Sequence, residues 1–301
     1  MNASLMMRPT VSRIGRFMRK PAGQKAAAVV ASLKYIAGRG PGPDPGAALA
    51  DHRLGAPAVL RSAEPRYLTI RPESDRIFGA YPELAALSEA WVRNNRPNAG
   101  DLPRLYSLAL NIRQILAEGI AGDFAELGVY HGNSAAVLAW YARQEGRQVA
   151  LFDTFGGFDP RDFVGPDQDP PQAFTDTSLD AVRRLVGEDR VRYLPGWFPD
   201  SLPPDLLDAR FSVVHLDCDL YAPIKAGMEF FFPRLSLGGL MIVHDYSNLH
   251  WVGVRQAVDE FLAPRPERPV LLPDRSGTAM IRKTTDHEPV KSGVLPGPGS
   301  A

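Results

Sequence analysis

The sequence predicts an α/β fold built on a parallel sheet with right-handed helical crossovers. Two observations carry that prediction. From Arg104 onward, short apolar runs alternate with segments of helical period. Three of the runs then stop abruptly at glycine or carboxylates: Asp123-Phe-Ala-Glu-Leu-Gly-Val-Tyr-His-Gly-Asn-Ser134, Val214-His-Leu-Asp-Cys-Asp-Leu-Tyr-Ala-Pro223 and Gly238-Gly-Leu-Met-Ile-Val-His-Asp-Tyr-Ser247. In an open parallel sheet such strand ends meet in one crevice, where ligands bind. A glycine loop and several acids delivered there imply a nucleoside-type ligand beside a metal or a proton-transfer centre.

The elements follow in order. Leu105, Leu108, Ile112, Ile115 and Leu116 recur at helical spacing, predicting a helix over 104–119 that Gly119 and Gly122 end. Residues 124–129 form the first strand and 134–144 a helix with an apolar face. The second strand, 149–152, ends at Asp153. Residues 178–186 are helical, with Asp176 or Thr177 as cap. The third strand covers 191–194, the fourth 211–216, and a buried helix spans 224–232. Residues 240–243 make the fifth strand and 254–262 the next helix. Two closing strands, 270–272 and 279–282, form a hairpin. The stretch between Asp153 and Ser178 holds five aspartates and four prolines and only Arg161 as a basic residue. Loops of that length serve most often as lids or binding loops, and it is expected to cover the substrate side, with a solvated insertion as the plain alternative.

The 301 residues, 45% hydrophobic and 23% charged, describe a globular protein with room for one large domain and appendages. The organisation predicted is a basic N-terminal extension and linker over 1–46, a helical or lid segment over 47–103, the main domain over 104–283 and a polar tail over 284–301. The zero formal charge hides an asymmetry: residues 1–43 carry eight Lys/Arg and no acid. The rest is acidic, which argues against nucleic-acid binding by the main domain. Residues 26–31 are apolar but too short to span a bilayer. A single cysteine, Cys218, excludes an internal disulfide framework and a multi-cysteine zinc site, and fits a reducing cytoplasm. Apolar runs within 60–100 suit packing between subunits, so a homo-oligomer is an open expectation.

Gly128-Val-Tyr-His-Gly132 lacks the glycine spacing of dinucleotide binders, which disfavours a nicotinamide dehydrogenase. Glycine still lets backbone approach a ligand, and Asn133–Ser134 offers free N–H groups at a helix start, suited to a carboxylate or a phosphate. Asp153 stands where an acid can accept from both ribose hydroxyls, or can simply open a loop. Asp217 and Asp245 end two strands that, as neighbours, bring both carboxylates onto one cation, with oxygen ligands favouring Mg²⁺. Asp219, two residues beyond Asp217, either supplies a further oxygen or stands behind the ligands. His244 is a core histidine, a metal ligand or a general base. His131 and His215 more often satisfy local hydrogen bonds. Trp197 can stack on an adenine or fill the core. Trp251, Tyr246 and Phe155 are candidates for an apolar platform under the acceptor.

The segments Glu126-Leu-Gly-Val-Tyr-His-Gly-Asn-Ser134, Leu151-Phe-Asp-Thr-Phe155, Leu216-Asp-Cys-Asp-Leu-Tyr221 and His244-Asp-Tyr246 resemble the macrocin (mycinamicin-type) O-methyltransferases, over about residues 100–282. The resemblance implies a Rossmann-like seven-stranded methyltransferase sheet of order 3-2-1-4-5-7-6, with an N-terminal helical extension. It implies S-adenosylmethionine and Mg²⁺ as cofactors and a sugar hydroxyl of a natural product as acceptor. Carried over by position, Gly128, Tyr130 and Ser134 hold the methionine part of the cofactor, with Glu126, Gly132 and Trp197 in the same binding set, and Asp153 holds the ribose. Asp217 binds the metal and helps deprotonate the acceptor, and Asp245 is a second metal ligand. The chain departs from the pattern at His244-Asp245, where metal-dependent members commonly carry two aspartates. Two rival readings follow: a metal-independent enzyme with His244 as base, and a non-catalytic nucleoside-binding scaffold.

Overall fold

The computed structural model describes residues 81–94, 101–170 and 173–286. The predicted segment 1–46, residues 47–80 and the tail from 287 lie outside the described residues. The elements are α1 (Glu83–Asn94), α2 (Leu102–Ala117), β1 (Asp123–Leu127), α3 (Asn133–Glu145), β2 (Val149–Asp153), α4 (Leu179–Val186), β3 (Val191–Pro195), β4 (Phe211–Leu216), α5 (Tyr221–Arg234), β5 (Leu235–Val243), α6 (Val252–Leu262), β6 (Val270–Leu271) and β7 (Ala279–Arg282). The seven strands pair in the order β3-β2-β1-β4-β5-β7-β6, as the resemblance implies. β1 to β5 are parallel, and the β6–β7 hairpin closes the sheet antiparallel.

Strand alternation sorts the core into two layers. Ala125, Leu127, Phe152, Val214, Leu216, Met241 and Val243 pack with α5 and α6 on one face. Phe124, Leu151, Val213, Leu240 and Ile242 pack with α1, α2 and α3 on the other. Glu126 and His215, two residues beyond Phe124 and Val213, therefore point into the second layer and stand side by side in the β1–β4 register.

Several boundaries differ from expectation. β5 begins at Leu235, because the Gly238-Gly239 pair that reads as a breaker is accommodated inside the strand, at a register shift against β4. α5 starts at Tyr221, and its Pro233 falls in the last turn, where it is tolerated. α4 is capped by Ser178, whose Oγ accepts from Ala181 N, rather than by Asp176 or Thr177. Those two side chains instead bind the glycine loop: Tyr130 Oη donates to Asp176 (2.8 Å), and Thr177 Oγ1 donates to the Tyr130 carbonyl.

The stretch after β2 contains two single-turn 3₁₀ helices, Pro160–Asp162 and Gly165–Asp167. It runs over the strand ends and is tied down at both sides. Asp167 accepts from Tyr221 N (2.6 Å) at the start of α5 and packs against Gly253, where a Cβ would lie 2.8 Å from the carboxyl carbon.

Gly128 sets how closely β1 and β4 approach at the crevice. Its φ is +88°, and a Cβ there would lie 2.5 Å from the Asp217 carbonyl carbon. The glycine thus serves a backbone crossing as well as any ligand. Gly128→Ala is expected to cost about 2–5 kcal/mol, from a strained φ plus overpacking. Urea denaturation at unchanged slope checks this; a wild-type midpoint would contradict the close crossing.

Candidate active site

The ends of β1, β2, β4 and β5 open into a cavity of about 420 Å³, within the range of small-molecule sites. One half is built on the loop after β1. α3 starts at Gly132, in a left-handed conformation (φ +86°), with no side chain capping its first turn. Its leading N–H groups are left for an anion. Asp153 organises this loop: Oδ2 accepts from Val129 N (2.6 Å) and Tyr130 N (2.9 Å), and Oδ1 accepts from Phe155 N (2.6 Å). Oδ1 retains a lone pair for a ligand hydroxyl. Gly128, Tyr130, Ser134, Asp153 and Trp197 all line the cavity. Trp197 donates Nε1–H to Asp162 (2.9 Å), and the Arg161 guanidinium stacks over its ring at 4.1 Å. Gly132 lies just behind, against Val182 and Val186 of α4. Glu126 is not in the wall; it is fully buried beneath it.

The other half is a chain of charged and polar groups. Arg104, in the first turn of α2, sends Nη2 to Asp217 Oδ2 (2.5 Å) and lies 3.4 Å from His215 Nε2. His215 Nδ1 bonds Glu126 Oε1 at 2.7 Å. One neutral tautomer satisfies both sides, donating from Nδ1 to Glu126 and accepting at Nε2 from Arg104. Beyond Asp217, His244 Nδ1 lies 2.8 Å from Asp217 Oδ1 and 2.6 Å from Asp245 Oδ2. Asn248 Nδ2 donates to Asp245 Oδ1 at 2.6 Å. Burial opposes ionisation of Asp217, but Arg104 and then His244 outweigh it and hold the carboxyl well below the usual range. For His244, burial and Arg104 favour the neutral ring, yet Asp217 and Asp245 together carry its imidazole well above its ordinary value. Asp219 differs: burial first, then the charges of Asp245 and Asp217, push its carboxyl well up.

The donor set can be tested against the metal that the resemblance implies. Asp217, His244 and Asp245 each offer a ligand atom, all within 4.8 Å of one another. One of the three is an imidazole nitrogen, which magnesium disfavours. All four carboxylate oxygens already face a protein donor: His244 and Arg104 on Asp217, His244 and Asn248 on Asp245. These residues do not fit a hard, oxygen-seeking dication.

Above this chain the wall is aromatic, though only partly as expected. Phe158 meets Trp251 edge-on (5.6 Å) and Phe174 likewise (5.2 Å), and all three line the cavity. Tyr246 is buried with its hydroxyl on Asp259, and Phe155 packs into the α1–α3 core, so neither serves the platform. Arg104, Phe158 and Phe174 were invisible as site residues in the sequence, because nothing local marks them as sharing one crevice. The only hint was that Phe158 and Phe174 fall in the suspect 153–178 stretch.

Asp162 gives a clean titration. Burial lifts its carboxyl to about 6, with Trp197 N–H and Arg161 pulling the other way. Because the folded value exceeds the unfolded one, stability falls as pH rises from about 4 to about 6, and is flat above. Asp162→Asn mimics the protonated acid. Its melting temperature is therefore expected to exceed that of wild type by a margin that grows across that window and then levels. A margin independent of pH would show that Asp162 ionises normally.

The macrocin-O-methyltransferase family model matches residues 91–274, more than half of the chain. The chain is 34% identical over 163 residues to an 8-demethyl-8-(2,3-dimethoxy-α-L-rhamnosyl)-tetracenomycin-C 4'-O-methyltransferase of Streptomyces olivaceus, covering 48% of this chain and 61% of that one. It is 29% identical over 222 residues to the mycinamicin III 3''-O-methyltransferase of Micromonospora griseorubida, covering 64% and 82%. Among solved structures it is similar to the O-methyltransferase NovP, with TM-score 0.53 and 26% identity over 61% of this chain and 80% of that one. The calicheamicin methyltransferase CalS11 shares the fold, with TM-score 0.52 and 23% identity over 72% and 95%. The chain belongs to the macrocin-O-methyltransferase family.

Proposed function

We propose that the chain transfers a methyl group from S-adenosylmethionine to a sugar hydroxyl of a glycosylated natural product. The observation that carries this is the meeting, in one cavity, of the Asp153-organised glycine loop and the Asp217–His244–Asp245 chain. The names of the relatives, which specify O-methylation of glycosylated compounds, support the acceptor class.

The residues assign themselves by chemistry. The open first turn of α3 suits the cofactor carboxylate, Asp153 the ribose, and the cofactor supplies an electrophilic methyl on a sulfonium. Among the described residues, six aspartates line the cavity (Asp153, Asp159, Asp162, Asp217, Asp219 and Asp245) against two cations, Arg104 and the protonated His244, both already paired. Such a wall favours a cationic ligand and disfavours a diphosphate, so a glycoside suits it better than a nucleotide-linked sugar. The Phe158–Phe174–Trp251 wall offers the acceptor an apolar face.

Asp217 is the better proton acceptor of the two expected. Its side chain is 20% exposed to the cavity, whereas His244 Nδ1 is committed to two carboxylates that keep the ring protonated. A low-affinity base suffices, because the attacking oxygen becomes strongly acidic as its bond to the methyl carbon forms. A bound cofactor would supply the methyl to the acceptor oxygen and keep the electron pair of the broken S–CH₃ bond on sulfur, while Asp217 would take the hydroxyl proton. Asp217 orients the hydroxyl beforehand, which contributes as much as proton transfer.

Calorimetric titration should show one site for S-adenosylmethionine per chain. Asp153→Ala should weaken it about 10–100-fold, because a charged hydrogen-bond partner is lost. Asp217→Asn should lower turnover on an aryl rhamnoside at least about 100-fold while cofactor affinity stays within about twofold. Failure to bind either S-adenosylmethionine or S-adenosylhomocysteine would sink the reading.

A further inference from the structure

We propose that Arg104 is the fixed cation of this centre, holding Asp217 toward the acceptor in the role that a divalent metal would otherwise fill. The inference rests on the methyltransferase reading for the identity of the reaction, and on the geometry of the chain for Arg104.

Three observations converge. The first is contact: Arg104 Nη2 lies 2.5 Å from Asp217 Oδ2, its side chain is only 11% exposed, and it lines the same cavity. A guanidinium is permanently charged, so it needs no loading to act. The second is preparation. Asp101 caps α2 by accepting from Arg104 N, and its other oxygen accepts from Arg275 N. Trp91 from α1 lies under the guanidinium at 5.9 Å, and His215, backed by Glu126, fixes the opposite edge. The third is cost. Arg104 Nε and Glu126 Oε2 are buried without a hydrogen-bond partner among the described residues. Each such group is destabilising, and native interiors leave few of them. A buried pair of this kind is poor value for stability alone, and an apolar contact between α2 and β4 would serve packing better. What the guanidinium adds is a positive charge at the strand ends.

That charge also accounts for the departure at His244. With Arg104 on one oxygen of Asp217 and the imidazole Nδ1 on the other, the carboxylate is oriented on both sides. A dication entering among the same groups would have to displace Arg104 or sit beside it, at a separation where like charges repel strongly. Arg104 acts through Asp217 and is a positioning residue.

The test begins with magnesium and manganese titrated calorimetrically into chelator-stripped wild type, alone and loaded with S-adenosylhomocysteine. No binding tighter than about 1 mM is expected for either ion, and turnover on an aryl rhamnoside should persist in chelator. Arg104→Gln should lose turnover about 10–100-fold with an unchanged KM for S-adenosylmethionine. It should also gain affinity for manganese, because an oxygen of Asp217 is released and one positive charge is gone; an unchanged manganese affinity in this variant would show that Arg104 does not stand in the cation's place. Arg104→Lys should recover part of the turnover. Tight magnesium binding by wild type, or chelator inactivation reversed by magnesium, would overturn the proposal, as would wild-type turnover in Arg104→Gln. If Arg104→Gln fails to fold, Arg104→Lys carries the same turnover and manganese comparison, and if the glycoside is not an acceptor the manganese titrations of wild type and variant still decide. Loss of S-adenosylhomocysteine binding would instead remove the methyltransferase reading and leave the metal result standing.

Discussion

The pairing of Arg104 with Asp217 is the constraint around which the centre of the molecule is arranged. Neither charge is tolerable alone at that depth, since removing one partner of a buried pair leaves an uncompensated ion. Together they also require α2 to arrive at the ends of β1 and β4 in one register. That is why α2 carries a buried capping aspartate, Asp101, and why its apolar stripe of Leu105, Leu108, Ile112 and Ile115 packs against the sheet. The alternation of β1 and β4 then puts Glu126 and His215 on the same face as α2, directly behind the guanidinium. Sheet periodicity and helix capping thus converge on one ion pair.

The cofactor half depends on a second carboxylate used in a different way. Asp153 spends three hydrogen bonds on backbone N–H groups of the loops after β1 and β2, which lets Gly128, Tyr130 and Phe155 hold positive φ. Of the six non-glycine residues with positive φ among the described residues, four (Tyr130, Phe174, Asp219 and Asp245) line the cavity. Backbone strain of this sort persists where surrounding bonds over-determine it, and it clusters where geometry serves a ligand. The two halves share their rigid support, because Gly128 lies directly against the backbone of Asp217.

How much of this was legible in the sequence follows from the range of each signal. The order of strands and helices shows in local periodicity, and the strand ends at Asp153, Asp217 and Asp245 mark the crevice because ligands of open parallel sheets bind at the carboxyl ends of the strands. Boundaries moved where a local rule was overridden by tertiary packing, as at Gly238-Gly239 inside β5. Site residues supplied by a single strand end were readable; those supplied across 113 positions, as Arg104 is to Asp217, were not. An arginine one turn into an amphipathic helix looks like any solvated arginine until the helix is placed. Trp197 reads equally as a ligand-stacking or a core residue, and its hydrogen bond to Asp162 depends on a turn that the local sequence does not place.

The electrostatics of the cavity connect these features to the chemistry. A sulfonium enters as a cation and leaves as a neutral thioether, so the wall must attract it without trapping the product. Six aspartates would over-bind a cation if all were free. They are not free: Asp217 is neutralised by Arg104, Asp245 by His244, and burial pushes the Asp162 and Asp219 carboxyls toward the protonated form. The wall is therefore only mildly negative, and its charges are fixed by covalently attached partners. A mobile dication would cancel that remaining negative charge and weaken the attraction for the sulfonium at the moment of binding. Internal guanidinium and imidazole partners keep the carboxylates oriented while leaving the net charge near the value that admits the cofactor and releases its product.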